Sequence, residues 1–417
     1  MAFQQGLSGL NAASRNLDVI GHNIANANTV GMKTSRAEFA ELYAASLNGS
    51  GGGGTGLGVT VDAVSQQFSQ GNISITGNNL DVAINGGGFF QLQQPDGTAA
   101  YTRAGNFKLD KTGDVVTNAG AKVMGFKVDA TTGTTIGSSA PVPLSFPTGA
   151  PIDAKQTVGI TAALNLDART PEAATAVPPT PRSTYGTSIN VFDSQGVATP
   201  VNLYFVKTGT ANTWDVYDQL DNPTAVPPVV ATAVGTVVFD ANGKLPTTPA
   251  PTPITITVDP APANPNNPPA PFPVTVDLSK ATQFGNKFSV SDLTQDGYAS
   301  GELTGIKIAD DGMVMASYSN GVSRAEAQVA LANFKNPQGL APGGGNLWTE
   351  TSDSGNAVMG KPGAGSLGML RAGALEDSNV DLTSELVNMM TAQRAYQANA
   401  QTIKTQDQVM STLVNLR

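Results

Sequence analysis

From residue 382 to residue 414 the chain can be counted off in alternating steps of four and three. The positions are Leu382, Leu386, Met389, Gln393, Tyr396, Ala400, Ile403, Asp407, Met410 and Val414, interrupted as an apolar row only by Gln393 and Asp407. That spacing predicts a long helix with a single seam, the pattern of a coiled coil. Ser378 or Asn379 is placed to cap its start. The beginning of the chain carries a weaker version: Phe3, Leu7, Leu10, Leu17, Ile20 and Ile24 fall three, four or seven apart, on one helical face. Two such helices, remote from a larger core, are marginal alone, because ordering their backbone costs more than one seam returns. They call for burial against each other and against copies from other chains.

Between the ends the pattern changes to short apolar runs broken by turn residues. "LDKTGDVV", "FDSQGVATPV", "FDANGKL" and "ADDGMVMAS" each place Asp shortly before Gly, which reads as a tight hairpin with glycine in the left-handed position. Residues 49–58, "GSGGGGTGLG", read as a linker whose hinge glycines include Gly51, Gly52, Gly53 and Gly54. Residues 141–151 and 246–273 are proline-rich and belong in loops or edge segments. The expected fold class is mainly β and multidomain, with α-helical termini. Two nested β-domains are joined to a coiled-coil-like domain built from both chain ends. The expected boundaries are 1–30 plus 376–417 for the helices and 31–70 plus 360–375 for a connector. Residues 71–145 plus 281–359 form the first β-domain, and 146–280 an inserted one.

Composition removes most chemistry. Among 417 residues there is no cysteine and one histidine, so thiolate metal sites, cysteine nucleophiles and most histidine base schemes are out. His22, near a helix end, is expected to cap or pack. Only 13% of residues are charged and the net charge is −9, which argues against a nucleic-acid partner. No stretch approaches the ~20 apolar residues of a membrane span. The first thirty residues lack the basic and apolar regions of a secretory signal.

"LDVAINGGGFF" raises the one question of a ligand, since a strand running into glycines begins many phosphate loops. No helix follows; Phe89, Phe90, Gln91 and Leu92 read as another strand. Gly86, Gly87 and Gly88 are therefore expected to form a hairpin bend. Asp110 with Asp114, and Asp310 with Asp311, sit in turns where Asp serves backbone hydrogen bonding. No catalytic, cofactor or metal residue is expected.

Three separated blocks then carry a resemblance. "GLSGLNAASRNLDVIGHNIANANTVGMKTSRAEF", the segment from "GNNLDVAINGGGFF" to "GAKVMGF", and "SNVDLTSELVNMMTAQRAYQANAQTIKTQDQVMSTLVNLR" resemble, in order, segments of bacterial flagellar rod and hook proteins. Together they cover roughly 1–130 and 285–417. About 135 further residues near 146–280, and the block "DGYASGELTGIKIADDGMVMASYSNG", make the hook members the better match than the shorter rod members. The resemblance implies a structural subunit of a curved extracellular tube that transmits torque from rod to filament, with no cofactor. Its implied partners are copies of itself, a distal rod protein, a hook cap protein, a hook–filament junction protein and the flagellar type III export apparatus. Export without a cleavable signal peptide is implied, as is the absence of nucleic-acid binding and membrane insertion. The competing readings are a distal rod subunit and a secreted β-rich binding or adhesion protein.

Overall fold

The computed structural model describes residues 2–42, 58–129, 133–134, 140–146, 151–173, 185–220, 231–246 and 253–415. Gly51 to Gly54 lie outside these residues, as does the side chain of Val414. The chain is mostly β, with a helix at each end: α1 (Ala2–Ala25) and α2 (Leu382–Asn415). It divides into two compact units. The first comprises 1–149, 305–317 and 323–417; the second, 150–304 and 318–322.

In the first unit α1 leads into a two-stranded antiparallel hairpin, β1 (Ser35–Leu42) with β2 (Gly58–Gln66). Short strands follow: β3 (Ile73–Ile75), β4 (Val82–Asn85), β5 (Phe89–Gln93) and β6 (Ala99–Thr102). The main sheet runs through Ser323–Val329, Lys122–Lys127, β5, β6, Leu347–Thr349 and Ala341–Gly344. Large rings fill one side of it. Phe89, Tyr101, Phe334 and Trp348 are buried, and Phe89 meets Phe68, Phe334 and Trp348 edge-to-face at 5.4–5.8 Å. Such pairs add stability beyond the area they bury.

The second unit is two sheets over one core. A four-stranded sheet (Tyr185–Phe192, Ala198–Lys207, Thr213–Tyr217, Gly235–Val238) shares its buried face with a five-stranded sheet around Gly159–Asp167. Along Gly159–Asp167 burial alternates residue by residue until its last position, as a strand with one buried face requires. Trp214 is fully buried in that core, its indole N–H donating to Gln283. This unit runs past the expected boundary at 280, because Thr282–Phe284 and Ser289–Gln295 both pair with Gly159–Asp167. The proline-rich stretch supplies two strands rather than loops alone, Ile254–Val258 and Phe272–Asp277. Ile254–Val258 is an edge strand. Pro273 is tolerated inside the other because pairing with Gly159–Asp167 starts only at Thr275.

Three of the four Asp–Gly turns share one mechanism. One carboxylate oxygen each of Asp110, Asp193 and Asp240 accepts the backbone N–H groups two and four residues on. Gly113, Gly196 and Gly243 follow at φ of 72–85°, a region that favours glycine. The turns at 110 and 193 close hairpins. That at 240 does not, since Lys244 bridges to Thr282 instead of returning along Gly235–Val238.

The glycine turn at 86–88 also departs from the expected hairpin. β4 pairs with Met369–Ala372, whereas β5 pairs with β6, Lys122–Lys127 and Leu331–Asn333. The glycines therefore carry the chain from one sheet to another. Gly86 (φ 118°) and Gly88 (φ 113°) adopt conformations that side chains rarely accept. A Cβ on Gly86 would also sit 2.9 Å from Gly368 Cα.

Candidate functional site

The two ends of the chain meet as an antiparallel helical hairpin. Gly6 lies opposite Ile403 and Gly9 opposite Asn399, so close that a Cβ on either glycine would approach the facing side chain to 2.9–3.1 Å. Toward the other end, Asn23 donates to Glu385 at 3.4 Å. Continued at alternating three and four, the α1 row reads Gly6, Gly9, Ala13, Asn16, Ile20, Asn23. The covered positions of α2 are Glu385, Met389, Ala392, Asn399, Ala400, Ile403 and Gln406. The contact is made largely from glycine, alanine and amides, which lets the backbones approach closely.

This stripe is rotated from the apolar rows read in the sequence. Of those rows, Ile20 is buried, and Leu10, Leu17, Ile24, Met389, Ala400 and Ile403 are half-buried. Phe3, Leu7, Leu382, Leu386, Tyr396 and Met410 are exposed, and so are Val387 and Met390 beside them. The intrachain contact thus brings together only part of the expected seam. Met410 has no counterpart because the antiparallel register places it beyond the start of α1. Sequence reasoning followed the large apolar residues; the signal for this contact was the small-residue spacing of Gly6, Gly9 and Ala13. The cap of α2 also differs. Asp381 accepts the N–H groups of Thr383 and Ser384, freeing Asn379 for another task.

That task is to anchor the hairpin. Three chain segments cross below it, near residues 33, 69 and 377. Asn379 accepts from the Thr34 N–H and hydroxyl, both at 2.7 Å, and donates to the carbonyls of Gln67 and Ser69. Beneath it lies a buried ionic cluster. Lys33 Nζ donates to Glu376 Oε1 at 2.6 Å and to Ser69 O at 2.7 Å. Arg103 Nε lies 3.1 Å from Glu376 Oε2. The rest of the guanidinium reaches the glycine turn, donating to Gly86 O twice at 2.9 Å and to Gly88 O at 2.6 Å. Glu376 also accepts from Gly71 N, and its own carbonyl accepts from Gly31 N. All three charged side chains are essentially out of water. Burial pulls both cations below their ordinary pKa, and the neighbouring Glu376 opposes that pull. The glycine turn therefore does hold a charged group, a guanidinium of its own chain rather than a phosphate.

The expected connector is thus structured where it is described. Ser35–Leu42, Gly58–Gln66, Met369–Ala372 and Ala374–Glu376 are strands, Gln67 N donates to Thr34 O, and Trp348 donates to Gln66. His22 is exposed, beside a cavity lined by Asp18, Val19, Val64, Leu340 and Pro342. Among the described residues no group of three or more His, Asp or Glu could hold a metal ion, and no helix is long and apolar enough to cross a membrane.

The chain is thus β-rich, and both of its ends return to one anchored helical pair. Flagellar families match successive stretches of the chain: flagella basal body rod protein at 3–33, the flagellar hook protein FlgE/F/G D1 domain at 83–161, the flagellar basal body protein FlaE D2 domain at 165–298, and the flagellar basal body rod FlgEFG protein C-terminal at 371–416. Flagellar hook protein FlgE of Escherichia coli is 42% identical over 420 residues, covering 100% of both chains. That of Salmonella typhimurium is 41% identical over 424 residues with the same coverage, and that of Rhizobium meliloti 36% identical, covering 100% of this chain and 98% of its own. The crystal structure of Helicobacter pylori flagellar hook protein FlgE2 shares the fold, with a TM-score of 0.52 at 16% identity over 73% of this chain and 100% of that one. The chain belongs to the flagellar hook protein family and is a structural subunit of the flagellum. The rival readings, a shorter rod subunit or an adhesion protein, are not favoured, since hook relatives align from end to end.

Proposed function

We propose that copies of this chain polymerise through their helical hairpins into a curved, flexible tube that carries torque from rod to filament. The observation that supports this most directly is the apolar surface the hairpin leaves in water. Among the described residues, Phe3, Leu7, Leu386 and Met390 are 43–53% exposed. Fully burying such a side chain is worth ~1.5–3 kcal/mol, so covering the exposed halves of these four would contribute roughly 3–6 kcal/mol per subunit. A head-to-tail contact that does not close generates a helical filament rather than a ring. The seam residues Leu382, Tyr396 and Met410 belong to the same surface in this reading. The two β-units would be carried outside the helical tube and slide during bending, with few ion pairs to break at each step.

The tube would be capped at its ends by a distal rod protein and a hook–filament junction protein, and would grow beneath a hook cap protein. Subunits would leave the cell through the flagellar type III export apparatus without a cleavable signal peptide. The role is mechanical, with no catalysis and no cofactor. The test is Leu386→Asp combined with Met390→Asp. Monomer melting should stay within about 1 kcal/mol of the parent, as for exposed positions, while sedimentable polymer disappears. Normal tubes from this variant would remove the hairpin surface from the assembly interface.

A further inference from the structure

The ionic cluster beneath the hairpin has an uneven charge count. Two cations, Lys33 and Arg103, are buried beside one carboxylate, Glu376. Carbonyls of Ser69, Gly86 and Gly88 complete their shells. The three groups come from distant parts of the chain. Lys33 follows α1, Arg103 belongs to the β-structure, and Glu376 stands five residues before the Asp381 cap of α2. Among the described ion pairs Glu376 is the acid partner of both cations.

We infer that Glu376 is a charge latch, whose arrival lets the segment after α1 settle onto the β-structure and so makes ordering of both chain ends a single event. The reason is the asymmetry of burial. Without the C-terminal strand, Lys33 and Arg103 would be two uncompensated cations in a dry site, and like charges repel most strongly there. The segment around Lys33 would then stay in water. When Glu376 docks, its carboxylate answers both cations. Its backbone carbonyl takes the Gly31 N–H, its Oε1 takes the Gly71 N–H, and Asn379, three residues on, ties Thr34 to Gln67 and Ser69. The strand Ala374–Glu376 simultaneously pairs with β3. One carboxylate thus closes N-terminal, central and C-terminal segments together. A chain lacking this residue's charge would keep its β-core but hold both helices loosely.

The test is hydrogen exchange on the full-length monomer, read segment by segment. Glu376→Gln keeps the shape and removes the charge. Exchange in residues 31–35 and 66–72 should accelerate at least tenfold, while the amides of Gly159–Asp167 and Thr213–Tyr217 in the second unit keep their rates. Adding Lys33→Met to Glu376→Gln removes one of the two unanswered cations and should restore most of the lost protection. That rescue is what a merely space-filling role at 376 would not produce. Protection unchanged within twofold in Glu376→Gln, or a double variant no better protected than the single one, overturns the latch. If Glu376→Gln fails to fold the first unit at all, recovery of folding in the double variant supports the latch and its absence refutes it.

Discussion

Replacing Arg103 by Met would keep most of the side-chain length and remove the fork that closes the glycine turn. In the parent, the guanidinium makes three hydrogen bonds of 2.6–2.9 Å to the carbonyls of Gly86 and Gly88 and lies 3.1 Å from Glu376. The side chain is 4% exposed, so water cannot take over these contacts. Removing one partner of a buried ion pair typically costs about 3–5 kcal/mol, because the remaining charge is left without an answer. Here Lys33 still faces Glu376, which trims the electrostatic part, but the two glycine carbonyls lose their donors. About 3–5 kcal/mol is therefore the expected loss. For a unit of this size 1 kcal/mol moves the melting temperature by about 2–4 °C, giving a drop of about 6–20 °C. Differential scanning calorimetry should show it in one transition only, since the buried core around Trp214 belongs to the other unit. A shift of less than about 3 °C would mean that the turn does not need the guanidinium. Equal shifts in both transitions would mean that the two units do not melt separately.

Other perturbations address the remaining elements. Gly9→Leu should separate the hairpin, since even a Cβ would meet Asn399 at 2.9 Å; loss of helical circular dichroism with the β signal retained is the expected readout, and an unchanged helix content would refute the close packing. Gly105→Ala should destabilise the first unit by more than about 2 kcal/mol, because its Cβ would run into the Val82 carbonyl; chemical denaturation measures it, and a neutral result would discard that contact. Asp167 has its pKa pushed down to about 2, first by the hydrogen bonds from the Arg169 side chain and then by the Arg169 N–H. Because the folded value lies below the unfolded one, near 3.9, its contribution is complete above about pH 5 and fades as pH falls toward 2. Arg169→Met should weaken that acid dependence in the melting of the second unit, and an unaltered acid limb would contradict the assignment.

The parts of this fold legible in the sequence were those written in local chemistry. Helices at both ends follow from spacing alone. Three of the four Asp–Gly turns follow from one carboxylate oxygen accepting two N–H groups, a geometry contained within five residues. What escaped depended on distant partners. Nothing near Gly86–Gly88 announces that β4 leaves for Met369–Ala372 while β5 joins the main sheet. Asn379 looked like a cap because nothing local shows that Thr34, Gln67 and Ser69 would claim both ends of its amide. The cluster of Lys33, Arg103 and Glu376 was invisible for the same reason: each is an ordinary charged residue until sequence separations of 70 and 273 residues are closed.

The contact between α1 and α2 within one chain uses a different stripe from the large apolar rows. A glycine inside a helix costs roughly 1 kcal/mol relative to alanine, and α1 carries two of them, Gly6 and Gly9, on the face turned to α2. Large apolar residues at those positions would have given a more stable pair within one chain. They would also have used the apolar surface there, leaving a closed monomer. The chain instead joins its own helices through small and amide side chains, and keeps Phe3, Leu7, Leu386 and Met390 on the outside. A weak internal contact combined with a strong external surface is what a subunit needs if its ends are to be held in register before assembly and buried only within it. The ionic anchor supplies the register, since it fixes where both helices leave the β-structure without drawing on the surface that a neighbour would cover.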